Sequence, residues 1–257
     1  MRLDVFLAER GLAASRTRAR TLIEGGFVLV NGRAVAKPAA PVEDGDAVAV
    51  TGAPHPFVGR GGVKLAGALS AFGLSPAGCV CVDIGASTGG FTDCLLRHGA
   101  VRVFAVDSGS DQLDASLRAD KRVVNLEHTN ARTLTPAMLG GLCDWAVADV
   151  SFISQTYILP PAASVLRGGG VYIGLIKPQF ECGPAALDHH GIVRDASAHR
   201  AAIRRVLAAA AEAGLSPVSL ARSPIEGGDG NREFLLYCRK TPCGGALPES
   251  LIEEVLR

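Results

Sequence analysis

Leu3, Phe6 and Leu7 recur at the spacing of one helix face, and Gly11 ends the element they predict. Ser15 is placed to cap a second helix, Arg16 to Glu24, with Ala19, Leu22 and Ile23 turned inward and Arg16, Arg18 and Arg20 over the exposed side. Gly25-Gly26 breaks that helix. Phe27 to Val30, the pair Asn31-Gly32 and Arg33 to Val35 read as a hairpin, because Asn-Gly accepts the positive φ angles a tight turn needs. Gly45-Asp46 turns into a last strand, Ala47 to Val50. Residues 1–50 thus predict a small α+β module, followed by a short, stiff linker at 51–57.

Beyond the linker an apolar helix is expected to end near Gly73, and from Cys79 short apolar runs alternate with helical stretches. Strands are predicted from Cys79, at Val101 to Asp107, Val123 to Leu126, Trp145 to Val150, Val171 to Ile176, Ser216 to Arg222 and Arg232 to Cys238. Ser197 to Ala213 reads as a helix. Such alternation predicts an α/β fold with a doubly wound, mostly parallel, Rossmann-like sheet over 58–240. The seventh strand follows the sixth by a hairpin-like connection and is expected to be antiparallel. Residues 241–257 form a tail, amphipathic around Leu251, Ile252, Val255 and Leu256.

A hydrophobic content of 48% and a charged content of 20% over 257 residues describe an ordinary globular chain with a sizeable core. The net charge of +1 advertises no nucleic acid, so any such surface has to be local. Only the clustering at Arg16, Arg18 and Arg20 argues for one, and a run of that kind is more often a solvated face. The seven cysteines form no C-x-x-C pair and sit mostly in apolar runs, which predicts reduced core thiols and no zinc site. Neither a signal peptide nor a membrane-spanning run is expected, which points to a cytoplasmic protein.

The chemistry gathers around Cys79 to Phe91. That run passes through Asp83, turns Gly-rich at 85, 89 and 90, and continues into Phe91-Thr92-Asp93 as the start of a helix. The glycines miss the G-x-G-x-x-G spacing of dinucleotide sites, and Asp83 would repel a pyrophosphate. A carboxylate there suits a cationic cofactor such as S-adenosylmethionine, although a bare strand–turn–helix is as readily structural. Ligands of such sheets lie beyond the carboxyl ends of the parallel strands, where Asp83, Asp107, Asp149 and Lys177 fall. Glu233, opening an antiparallel strand, falls on the same edge. Asp107 follows Asp83 by 24 residues, near the spacing of a ribose-binding acid. Any one of these is more often a helix cap; their convergence predicts a site. Taken alone, Lys64 reads as a helix-surface lysine, and His189-His190 as a loop with too few ligands for a metal.

Two sets of motifs carry a resemblance. Arg2-Leu3-Asp4, Ser15-Arg16, Ala19, Leu22-Ile23, Gly26, Val28 and Val30-Asn31-Gly32 resemble the S4 RNA-binding module. Arg60-Gly61-Gly62-Val63-Lys64-Leu65, Asp83 to Asp93, Ala148-Asp149-Val150-Ser151-Phe152-Ile153-Ser154, Leu175 to Glu181 and Gly230-Asn231-Arg232-Glu233-Phe234 resemble the TlyA (hemolysin A) family, which joins an S4 module to an FtsJ-like methyltransferase domain. The resemblance implies an S-adenosylmethionine-dependent 2′-O-methyltransferase acting on cytidine ribose in ribosomal RNA, of the small subunit, the large one or both. It implies Lys64, Asp149, Lys177 and Glu233 as the catalytic set. Cofactor contacts follow at Asp83, Gly85, Ala86, Ser87, Thr88, Gly89, Gly90, Phe91, Asp107, Asn130 and Asp149. RNA contacts follow at Arg2, Arg16, Arg18, Arg20, Asn31 and Arg60, with no metal. Gly59 departs from the Ser that relatives often carry before Arg-Gly-Gly. The tail lies outside the resemblance.

Methyl transfer asks the protein mainly to orient reactants and handle one proton. Lys177 is the candidate to meet the 2′-hydroxyl, either as a neutral base or as a charged group steering the oxygen's lone pair. Making an ordinary lysine neutral at pH 7 costs about 4–5 kcal/mol, so both versions stay open. Two other classes compete: an S4 adaptor without catalysis, and a membrane-active hemolysin. Oligomeric state, and whether free RNA or assembled ribosomal subunits are bound, are open as well.

Overall fold

The computed structural model describes residues 1–13, 15–52, 55–228, 230–241 and 247–257. Ala53 and Pro54 of the expected linker, and Cys243, lie outside these. The chain divides into two units, Met1–Gly59 and Arg60–Arg257.

In the first unit, α1 (Leu3–Glu9) and α2 (Arg16–Glu24) cover a sheet of β1 (Val28–Val30), β2 (Arg33–Ala34) and β3 (Val48–Val50), with β1 central and antiparallel to both neighbours. Leu3, Leu7, Ala19, Ile23 and Val28 are fully buried between these layers. Ser15 caps α2 as expected: its side chain accepts from the Arg18 N–H at 3.2 Å. Asn31 and Gly32 take φ of 51° and 77°, closing the hairpin between β1 and β2. The Asn31 amide oxygen also accepts from the Ala47 N–H at 2.9 Å, fixing the entry to β3.

The second unit is a seven-stranded sheet built on β4 (Val80–Ile84), β5 (Arg102–Val106), β6 (Val123–Leu126), β7 (Cys143–Ala148), β8 (Leu166–Ile176), β9 (Leu215–Arg222) and β10 (Phe234–Lys240). Its order is β6-β5-β4-β7-β8-β10-β9, parallel from β6 to β8, with β10 antiparallel to both β8 and β9. The seventh strand therefore enters between the fifth and the sixth. Its helices are α3 (Gly61–Phe72), α4 (Gly90–Arg97), α5 (Ala115–Arg118), α6 (Leu159–Val165), α7 (Pro178–Glu181), α8 (Ala196–Glu212) and α9 (Glu249–Leu256).

Alternation along the strands divides the core. Val82, Ile84, Ala146, Tyr172, Phe234 and Leu236 pack on one side with Ile203 and Val206 of α8. The intervening Asp83 turns to the other side, where it meets Thr92 of α4. Because both faces are covered, the strands read in sequence as continuous apolar runs. The start of β8 was not legible: Leu166 to Gly170 extend the strand upstream through three glycines, past an irregular register opposite Cys143 to Trp145.

Within the tail, α9 packs on the core. Ile252 of α9 is 2% exposed, and Arg200 and Arg204 of α8 bond Glu253 at 2.6 Å and Glu249 at 2.5 Å. Cys81, Cys94, Cys143 and Cys238 are buried thiols, and all six described cysteines are free.

Candidate active site

Two close approaches shape the ground on which the site stands. At Gly85 (φ +83°) a Cβ would lie 2.7 Å from the Asp149 carbonyl oxygen, so only glycine lets the turn after β4 press on the residue following β7. At Gly90 a Cβ would lie 2.9 Å from the Gly62 nitrogen, so the first turn of α4 sits directly against the start of α3. Between these glycines Ser87 adopts φ 48° and donates its N–H to Asp107 Oδ2 at 2.7 Å. Asp107 Oδ1 accepts from the Gly109 N–H at 2.8 Å. Asp107 thereby joins the ends of β4 and β5.

Two cavities flank the turn. One, of about 390 Å³, is lined by Gly85, Ser87, Asp107, Asn130 and the segment Asp149 to Ile153. The other, of about 180 Å³, is lined by Gly61, Gly85 to Thr88, Gly90, Phe91, Asp149, Ser151 and Lys177. They share Gly85, Ser87, Asp149 and Ser151, and together reach the volume of an ordinary small-molecule site. Asp83 and Gly89 line neither. Asp83 lies beneath the turn, fully buried; Thr92 Oγ1 donates to its Oδ2 at 2.7 Å, and Oδ1 has no hydrogen-bond partner among the described residues. Burial pushes this carboxyl up to about 7, against the opposing Thr92 bond. A buried acid of this kind favours a cation nearby.

Two lysine–carboxylate pairs stand side by side, that of Lys177 and Asp149 in the wall of the smaller cavity and that of Lys64 and Glu233 lining neither cavity. Lys177 Nζ lies 2.7 Å from Asp149 Oδ1 and donates to Ser151 Oγ at 2.9 Å. Lys64 Nζ lies 2.6 Å from Glu233 Oε2, with the lysine side chain 9% and the glutamate 2% exposed. Far from being a surface lysine, Lys64 leaves the second turn of α3 pointing inward. Burial raises the Glu233 carboxyl, while the Lys64 charge opposes it. Lys177 and Asp149 also act on Glu233, so the four groups form one electrostatic unit. Asp149 and Lys177 are the first residues beyond β7 and β8, and Glu233 the last before β10. Pairing of Phe234 with Ile176 puts Glu233 beside Lys177.

The structure gathers Lys64, Asp149, Lys177, Glu233, Asp107, Asn130 and the Gly85 to Phe91 turn on one edge of the sheet. Asn130 uses its amide oxygen to cap the following turn, accepting from the Arg132 N–H at 3.0 Å. Arg2 and Arg16 both reach the buried Asp4, at 2.9 and 3.4 Å, and the Arg2 bonds chiefly hold that carboxyl down to about 2. Asn31 serves its turn, and Arg60 donates to the Glu226 carbonyl at 2.8 Å. Arg18 is half-buried and Arg20 exposed.

Phe152 was not singled out from the sequence. It is 93% exposed, takes φ 61°, and its ring stands 5.2 Å from that of Phe180, whose centroid is 5.9 Å from Lys177 Nζ. Its signal was there in position only: a phenylalanine three residues past Asp149, in a turn no core reaches. Among the described residues no group of three or more His, Cys, Asp or Glu could hold a metal ion, and no helix is long and apolar enough to cross a membrane.

Residues 57–240 match the FtsJ-like methyltransferase family, and residues 1–48 match the S4 domain. The chain is 44% identical over 239 residues to the 16S/23S rRNA (cytidine-2′-O)-methyltransferase TlyA of Mycobacterium tuberculosis, covering 93% of this chain and 89% of that protein. It is 40% identical over 238 residues to Hemolysin A of Brachyspira hyodysenteriae, covering 92% and 99%. A solved structure described as a hemolysin from Streptococcus thermophilus superposes with a TM-score of 0.81 at 41% identity, covering 100% of this chain and 94% of that one.

Proposed function

We propose that this chain, which belongs to the TlyA family of FtsJ-like methyltransferases and carries an S4 domain at its front, methylates the 2′-hydroxyl of cytidine in ribosomal RNA. The observation that carries the reading is the pairing of Lys177 with Asp149 in the wall of a cavity that the Gly85 turn helps to form, beside the buried pair of Lys64 with Glu233. A fixed binding surface for RNA has no use for a buried ion pair such as Lys64–Glu233, which is expensive to desolvate.

S-adenosylmethionine is the cofactor, and when bound it supplies an electrophilic methyl group. The residues present fit it. The backbone of Gly85 to Thr88 lines the smaller cavity, and Asp107, in the wall of the larger one at the end of β5, sits where a ribose diol is read. Lys177 Nζ, held between Asp149 Oδ1 and Ser151 Oγ, meets the ribose hydroxyl and orients its lone pair toward the smaller cavity. With its carboxylate partner in place at 2.7 Å, the charged, steering form of Lys177 is the version the pairing supports, and the hydroxyl's proton then passes to water as the new C–O bond forms. Lys64 and Glu233 brace that pair from α3 and β10. Phe152 offers a flat apolar face on which the target base stacks. Arg16, Arg18 and Arg20 hold structured RNA through phosphates. A ribosomal substrate implies work in the cytoplasm.

The test is transfer of labelled methyl from S-adenosylmethionine to purified ribosomal subunits and to free rRNA, followed by nucleoside digestion. Label should appear in 2′-O-methylcytidine. Label in a base, or none with either RNA form, refutes the reading.

A further inference from the structure

Glu181 ends α7, four residues beyond Lys177, and is 4% exposed. Its carboxylate reaches across to the segment after β7: Ser154 Oγ donates to Oε2 at 2.5 Å, and the Gln155 backbone N–H donates to Oε1 at 2.7 Å. Both oxygens are thus committed to the stretch that begins with Asp149 and Ser151. A second buried bridge runs alongside. Gln155 Nε2 donates to the Leu175 carbonyl at 3.1 Å, and Tyr172 Oη donates to Gln155 Oε1 at 2.6 Å. Room for the tyrosine hydroxyl comes from Gly174, where a Cβ would lie 2.5 Å from it.

The place of these bonds matters more than their number. Registered pairing between β7 and β8 ends at Ala148 opposite Gly174. Asp149 and Lys177 emerge beyond that point on segments that the ladder no longer fixes. Neither Ser154, Gln155, Tyr172 nor Glu181 lines either cavity, so none is placed to touch a ligand there. Burial raises the Glu181 carboxyl, and the Ser154 and Gln155 bonds work against that rise. Keeping a carboxylate in such surroundings is justified by geometry sooner than by stability.

We propose that Glu181 is a positioning residue, which by clasping Ser154 and the Gln155 N–H sets the separation of Lys177 from Asp149 and Ser151. The role rests on the reading of Lys177 as the group that meets the ribose hydroxyl. Misplacing such a group by about 1 Å is enough to lose up to roughly a hundredfold in rate.

Glu181→Met removes both acceptors at similar length, whereas Glu181→Gln keeps an oxygen that accepts from the Gln155 N–H and gains an amide N–H that donates to Ser154 Oγ. At saturating S-adenosylmethionine, kcat per folded molecule should fall about tenfold or more in Glu181→Met and stay within about threefold in Glu181→Gln. Crystal structures should show the Lys177–Asp149 distance lengthened beyond ion-pair reach in the first variant and retained in the second. If Glu181→Met does not fold, Ser154→Ala carries the same test, with a fall of a few fold and the same lengthening. A Glu181→Met enzyme with unchanged kcat, or crystals in which the pair stays at 2.7 Å, overturns the proposal. Should the wild type itself transfer no methyl to rRNA, it is the function that fails, and the crystal structures still decide the positioning role.

Discussion

At the scale of residues Lys177 decides the chemistry, through the difference between a lysine that gives its charge and one that gives a lone pair. Replacing it with alanine should abolish methyl transfer while leaving S-adenosylmethionine binding measurable by calorimetry. Lys177→Arg should keep about 1–10% of the rate if charge steers the hydroxyl, since an arginine cannot act as a neutral base. Asp83 makes a separate prediction. Its folded carboxyl is pushed up to about 7 from an ordinary value of 3.8, so the folded state holds the extra proton between those pH values. That contribution to stability is complete below the unfolded value and is lost as pH rises through the folded one. Thermal midpoints of the ligand-free protein should therefore fall more steeply from pH 5 to pH 8 in the wild type than in Asp83→Asn; parallel curves would contradict this. The acidic residues at strand ends were legible because parallel sheets put ligands there. That Asp83 would sit under the turn was not legible, because it depends on which side of the sheet receives α4. The inward direction of Lys64 was likewise hidden, since one lysine on an apolar helix reads the same on either face.

Among the elements, the strands of the second unit and its helices α3, α4 and α8 emerge from the apolar periods with ends displaced by a few residues, most at β8, where glycines conceal five residues of strand, while the short helices α5, α6 and α7 were not legible. Where β10 lies was only half visible. A short connection told its direction, but its entry between β8 and β9 is a matter of long-range pairing. The helix α9 fell outside the motifs, although its amphipathic pattern was plain, since a pattern names a buried face without naming its partner. Ile252 should supply most of its hold: Ile252→Ala is expected to cost about 2–4 kcal/mol in urea denaturation. Arg204→Ala breaks an exposed pair with Glu249 and should cost less than about 1 kcal/mol. Equal losses from the two would mean that the helix is held by charge.

For the whole molecule, a chain of net charge +1 meets a polyanion only through a local cluster. Arg16 and Arg20 on the exposed side of α2 are the residues to reverse. Arg16→Glu with Arg20→Glu should weaken rRNA binding and flatten its dependence on salt, with S-adenosylmethionine affinity unchanged. Arg16 also reaches Asp4, so the Arg20→Glu single variant separates lost contact with RNA from a loosened first unit. The two neighbouring lysine–carboxylate pairs serve ribose methylation of ribosomal RNA. Mass spectrometry of rRNA nucleosides from cells lacking this protein, complemented with either the wild type or Lys177→Ala, tests it most directly. Restoration of 2′-O-methylcytidine by the wild type alone is the predicted result. Equal restoration by both, or by neither, would contradict it.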